Sequence, residues 1–316
     1  MSIIAASIQM VSEDGQYESN RKRAEKLIFK AIDKKAKLIL IPEFALIGYK
    51  FTDEIWDMSE PLDGPTYKWL KSISKKHNVY IATCILEKDD KDFYDTFIMT
   101  GPGKDEFWSH RKIEPACYES FFIKGGGINK NVFETPVGKI GISICFDSSK
   151  SHSLRTLHDG DPDFVLIPFS CPRLADFFPS KGRENWIEQY INVPVYYSKF
   201  LGIPVITSNK TGVFSSPIPW NIPRTATMDF IDESQIVDVN NGIHIKSGRG
   251  EQVLTAKIGK NKKDTLQPKS LPQGRWIPGY LRIVKFGAWY SCYMGKIRYR
   301  LSIKRRRAAI GRSKLE

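Results

Sequence analysis

The chain has 316 residues, enough to bury a large core as one big α/β domain or two smaller ones. Hydrophobic residues make up 41% and charged residues 26%, a balance expected of an ordinary soluble globular protein. The net charge of +13 is unevenly held: residues 260–316 carry 16 basic against 2 acidic side chains, leaving 32 against 33 in the preceding part.

The first residues, Met1 to Gln9, lack the basic leader and apolar length expected of a secretory signal. Ile3–Gln9 reads as a strand and Asn20–Lys34 as an amphipathic helix, with Ala24, Leu27, Ile28 and Ile32 at helical spacing. Leu38–Pro42 is a continuous apolar run, the pattern of a strand buried on both faces, and it ends in Glu43. A second helix is expected from Gly64-Pro-Thr to about Lys76, then a strand over Tyr80–Leu86. Asp95–Thr100 and Glu106–Arg111 form a predicted hairpin around Gly101-Pro-Gly103, which delivers Lys112 at its end.

Lys139–Ile144 is a strand that releases Cys145, and Ser151–His158 a short helix. Phe164–Pro168 repeats the buried-strand pattern, Asn185–Leu201 is helical and Pro204–Ser208 is a strand. Gln235–Asn240 and Gln252–Ile258 are expected to close the body as a two-strand unit around Asn240-Asn-Gly242. Strands and helices alternate with mixed spacing, so layered α/β architecture with some antiparallel strands is expected.

A cysteine at a strand end is by itself most often an inert small hydrophobe. An acid, an amine and a thiol at three strand ends instead suggest covalent catalysis by cysteine. The other cysteines, Cys84, Cys117, Cys171 and Cys292, are scattered without a CxxC pair, which fits free thiols in a reducing, cytoplasmic compartment. Five histidines show no metal-ligand spacing, so neither metal nor cofactor is inferred. Asp147 reads as a structural hydrogen-bonding residue behind the nucleophile.

These residues resemble the nitrilase superfamily of carbon–nitrogen hydrolases. The resemblance rests on Pro42-Glu43-Phe44, His110-Arg-Lys112-Ile-Glu-Pro115 and Gly141-Ile-Ser-Ile-Cys145-Phe-Asp147, in that order. Tyr118-Glu119, Ile167-Pro168 and Gly202-Ile-Pro204 through Asn209-Lys-Thr-Gly212 add to it. It implies a four-layer αββα sandwich over residues 1–259 and a catalytic triad of Glu43, Lys112 and Cys145. Glu119 would support the site, and the backbone N–H of Phe146 would help bind an oxyanion. Cys145-Phe146-Asp147 looks more like the amidase and carbamoylase branches than the nitrilases. The implied activity is hydrolysis of a small linear amide or N-carbamoyl compound, without cofactor, in a homodimer or higher homo-oligomer. A nitrilase, an amide-acyl transferase, or a non-catalytic binding protein are the alternatives. Ser148 to Ser153 departs from the family pattern beside the nucleophile, which leaves the substrate open.

Residues 260–316 form a basic, aromatic-rich extension: a linker Lys260–Pro278, a segment Gly279–Ile303 and a cluster Lys304–Arg307. Ile283, Phe286, Tyr290, Tyr293, Ile297 and Leu301 fall at helical spacing among Arg282, Lys285, Lys296 and Arg300. Such a helix is expected to dock on the body or on a second subunit, to lie on an anionic membrane surface, or to bind nucleic acid.

Overall fold

The computed structural model describes residues 2–217, 225–259, 272–312 and 315. The first half runs β1 (Ser2–Val11), α1 (Tyr17–Asp33), β2 (Leu38–Leu40), α2 (Pro65–His77), β3 (Tyr80–Asp89), β4 (Asp92–Thr100) and β5 (Phe107–Arg111). Next come β6 (Val132–Thr135), β7 (Gly138–Ile142), α3 (Ser151–Gly160), β8 (Phe164–Pro168), α4 (Ser180–Leu201) and β9 (Val205–Ser208). The short strands β10 (Lys210–Thr211), β11 (Val213–Pro217), β12 (Thr225–Asp229), β13 (Gln235–Asp238), β14 (Ile243–Lys246) and β15 (Gln252–Gly259) come after them. Two helices end the chain, α5 (Arg282–Leu301) and α6 (Ile303–Ile310).

Two sheets lie face to face between helices. The first has the order β10-β1-β2-β3-β4-β5 with β15 also on β1; the second has the order β14-β13-β9-β8-β7-β6. The pleat explains why β2 is wholly apolar. Leu38 and Leu40 enter the core between the sheets, with Ile140, Ile142 and Ile206. Ile39 and Ile41 point the other way, into the core under α1 and α2 with Leu27, Ile28 and Leu70. Helices α3 and α4 cover the second sheet through Leu154, Leu157, Val193 and Tyr197, completing the four-layer αββα sandwich.

One pairing differs from expectation. β13 pairs antiparallel with β14 around Asn240-Asn241-Gly242, while Gln252–Gly259 crosses to the other sheet and pairs along β1. The turn was legible; its second arm was not, because Ile243-His-Ile-Lys is a short, mostly exposed edge strand of only four residues.

The basic extension packs on its own body. Residues 260–271 of the expected linker lie outside the described residues, but Trp276 bridges Lys150 and the Ile277 N–H donates to the Ser149 carbonyl. The expected apolar face of α5 is not the one that docks. Val284, Ala288, Ser291, Cys292, Gly295 and Tyr299 are buried, while Phe286, Tyr293 and Leu301 are 65%, 54% and 79% exposed. Small residues let the helix approach closely: a Cβ on Gly295 would stand 2.8 Å from the Ser120 carbonyl carbon. α6 is held by Arg306, which donates to Asp92, the Lys91 carbonyl and Tyr299. Among the described residues no helix is long and apolar enough to cross a membrane.

Candidate active site

Glu43 lies just after β2, Lys112 after β5 and Cys145 after β7, and the two sheets bring these three strand ends together. The turn at Glu43 is pinned from behind: Thr83 Oγ1 donates to the Pro42 carbonyl at 2.9 Å and Ser170 Oγ to the Glu43 carbonyl at 2.6 Å. Asp147 accepts from the N–H groups of Ile113 and Glu114 at 2.8 and 2.9 Å, tying the loop after Lys112 to the turn after Cys145. That is the structural part expected for it. Cys145 has φ +43° and Phe44, next to Glu43, +48°, a left-handed conformation that non-glycine residues rarely adopt. Such strain persists only where surrounding bonds enforce it, and here it falls at Cys145 and next to Glu43.

Lys112 Nζ sits at the centre. It donates to Glu43 Oε1 at 2.5 Å and Glu119 Oε2 at 2.6 Å, and lies 3.1 Å from Asp95 Oδ2. The Cys145 sulfur and carboxylate oxygens of Glu43 and Glu119 all lie within 4.8 Å of one another. Three such ligand atoms could in principle hold a metal ion, but the cation position between the two carboxylates is filled by the Lys112 ammonium. Glu119 also accepts from the Tyr49 hydroxyl at 2.6 Å and the Ala116 N–H at 2.8 Å.

All four charged groups are buried, so they cannot all be ionised. Burial works to raise Glu43, yet the adjacent ammonium and a contact with Asp95 hold it below the usual carboxylate range. Burial raises Asp95 strongly, and the Glu43 charge adds to this, so Asp95 carries a proton. As two carboxylates, Asp95 and Glu43 Oε2 would have no donor between them; protonated Asp95 supplies one. Burial also raises Glu119. Burial opposes the Lys112 charge, but Glu119 and Glu43 outweigh it and hold the ammonium protonated. Cys145 is pushed well up, by burial first and then by Glu43, against the pull of Lys112. The pull of the Lys112 ammonium toward a thiolate is therefore outweighed, and the resting nucleophile is a thiol beside an ionised base.

A cavity opens on the sulfur, lined by Tyr49, Phe169, Cys171, Trp186, Tyr190 and Tyr280 among others. Of the expected residues, Cys145 and Phe146 line this cavity, while Glu43, Lys112 and Glu119 lie buried behind the sulfur, in mutual contact. Three residues that touch this group or line the cavity were missed. Asp95 breaks the apolar run of β4, and a carboxylate among Phe93, Phe97 and Ile98 was a usable signal. Tyr49 and Tyr280 carried none, since only folding brings them beside residues so distant in the chain.

The carbon–nitrogen hydrolase family model matches residues 4–263. The chain is 29% identical to a nitrilase of Pyrococcus abyssi over 218 residues, covering 66% of this chain and 83% of that protein. It is 27% identical to the N-carbamoylputrescine amidase of Solanum tuberosum over 222 residues, 66% of this chain and 71% of that one. A carbon–nitrogen hydrolase structure from Helicobacter pylori superposes with a TM-score of 0.67 at 17% identity, covering 82% of this chain and 90% of that one, which shows a shared fold. With the strand-end residues and their geometry, these matches establish that the chain belongs to the carbon–nitrogen hydrolase family, within the nitrilase superfamily.

Proposed function

We propose that the protein hydrolyses the C–N bond of a small linear amide or N-carbamoyl compound through a thioester on Cys145. The observation that supports this most is the Lys112 ammonium held between Glu43 and Glu119, whose carboxylates lie within 4.8 Å of the sulfur of Cys145, itself a wall of a cavity. Because the resting thiol is protonated, Glu43 takes its proton as the sulfur attacks the carbonyl carbon. The carbonyl electron pair moves onto oxygen, and Lys112 with the Phe146 N–H receives that charge. A donor of this kind in a dry site contributes roughly 3 kcal/mol to the transition state.

Collapse breaks the C–N bond, and Glu43 returns the proton to the departing ammonia or amine. Water then gives a proton to Glu43 and attacks the thioester, and the acid leaves as Cys145 is reprotonated. Glu119 orients Lys112 throughout, itself fixed by Tyr49 and the Ala116 N–H.

Intact-mass measurement with a panel of amides and N-carbamoyl compounds tests this. A mass increment of the acyl group on the protein, lost in Cys145→Ala together with ammonia release, is expected. Release from nitriles but not amides would move the reading to a nitrilase. No adduct and no turnover across both panels would leave only a binding role.

A further inference from the structure

A second chamber adjoins the Cys145 cavity. It shares Tyr49, Ala116, Pro172 and Trp186 with that cavity. Its other side is built by α5, through Val284, Gly287 and Ala288, facing Phe178 and Met228. Among the described residues of the lining, Arg173 is the one that is charged. We propose that this chamber receives an apolar substituent of the substrate, so that the preferred amides carry a hydrocarbon or aryl chain rather than a compact polar group. The inference rests on the amide-hydrolysis reading and extends it to a substrate class. A chamber with apolar walls favours each added methylene by about 0.8 kcal/mol, roughly a fourfold gain. α5, part of the basic extension, is then a specificity element.

Two series separate the acyl side from the amine side: n-alkanamides from two to ten carbons, and N-alkylacetamides of matching length. In one of them kcat/KM is expected to rise about fourfold per methylene until the chamber fills. Gly287→Phe places a ring in the chamber, because a Cβ there meets only Phe178 at 3.9 Å. It should lower the long-to-short ratio of kcat/KM tenfold or more, and Gly287→Ala much less. A flat or falling dependence in both series, with short amides still acylating Cys145, overturns the chamber and leaves the activity intact. If no amide is turned over, calorimetry of the same series on Cys145→Ala decides. Affinity that grows with chain length supports the chamber, and affinity indifferent to it overturns the proposal.

The outer face of α5 carries a separate observation. Seven of the twelve exposed large apolar side chains among the described residues lie between Ile283 and Leu301. Phe286 stacks on Tyr290 and Trp289 on Tyr293 along this face. α5 and α6 hold nine Lys and Arg and no Asp or Glu. Arg306 is buried on Asp92 and Arg305 pairs with Asp53, but Arg282, Lys296, Arg300, Lys304 and Arg307 stand exposed. We infer that this face adsorbs to an anionic phospholipid surface, whose headgroups match these cations while the rings enter the interface. A second copy docking through the same face would set like charges against each other.

Co-sedimentation of the full chain with vesicles tests it. Vesicles of phosphatidylcholine and phosphatidylglycerol at 7:3 should bind at least tenfold more tightly than pure phosphatidylcholine. Phe286→Ser with Trp289→Ser should reduce that binding tenfold or more. Equal or absent binding overturns the inference. Sedimentation equilibrium showing a dimer that this double variant dissociates would assign the face to a second copy instead.

Discussion

Four buried ionisable groups share their protons unequally, and the division decides the chemistry. Glu43 keeps its charge because Lys112 lies 2.5 Å away, while Asp95, close to that charge and equally buried, does not. The consequence for Cys145 is testable without knowing the substrate. A thiol raised by burial gives no thiolate plateau at neutral pH, so its alkylation by iodoacetamide should climb with pH and show no inflection between pH 6 and 8.5. Mass-spectrometric rates of Cys145 modification check this. An inflection near pH 6 to 7 would mean a thiolate–ammonium pair and a different first step.

Two elements carry a polar or steric device whose removal has a defined sign. Glu60 accepts from the Thr66 N–H at 2.8 Å in the first turn of α2, and burial pushes its carboxyl up to about 7. A raised acid stabilises the fold fully below its unfolded pKa, near 4.3, and that contribution fades as pH rises through about 7. The wild type should therefore lose roughly 3 kcal/mol from this group between pH 4 and 8. Glu60→Gln, which stays neutral, should flatten that part of the Tm-versus-pH curve. In α5 the device is a glycine. Gly295→Ala gains helix propensity of about 1 kcal/mol but forces its Cβ against Ser120, in the turn that carries Glu119. Overpacking of this kind costs about 1–3 kcal/mol, so a lower Tm is expected despite the better helix former. An unchanged or higher Tm would show that α5 shifts freely on the body.

At the scale of the molecule, the extension belongs to the same structure as the site. Tyr280 lines the Cys145 cavity, Trp276 packs edge-on against Phe146 at 5.6 Å, and Lys150 Nζ lies 3.2 Å from the Trp276 ring centre. Cys292 lies against the loop between Lys112 and Glu119, its thiol 3.6 Å from the Pro115 carbonyl. Ending the chain at residue 271 should lower ammonia release a hundredfold or more together with Tm. A truncated chain that keeps full turnover would reduce the extension to a surface attachment.

Strand ends were legible because their residues obey a local rule: a run such as Leu38 to Ile41 must be buried on both faces, and the polar residue at its end must leave the sheet. The order acid, amine, thiol is therefore written in the chain, and with it a layered α/β body; the four-layer sandwich and the grouping of Glu43, Lys112 and Cys145 were implied by the resemblance that their motifs carry. Charge state is a different matter. Whether Cys145 rests as a thiol, and which of Glu43, Asp95 and Glu119 holds a proton, depends on burial and on distances of a few ångströms between residues far apart in the chain. The orientation of α5 was hidden for a related reason. Helical spacing identifies an apolar face, but Gly295, Ala288 and Ser291 won the contact because small side chains allow the closest approach, and only the surface of the body decides that.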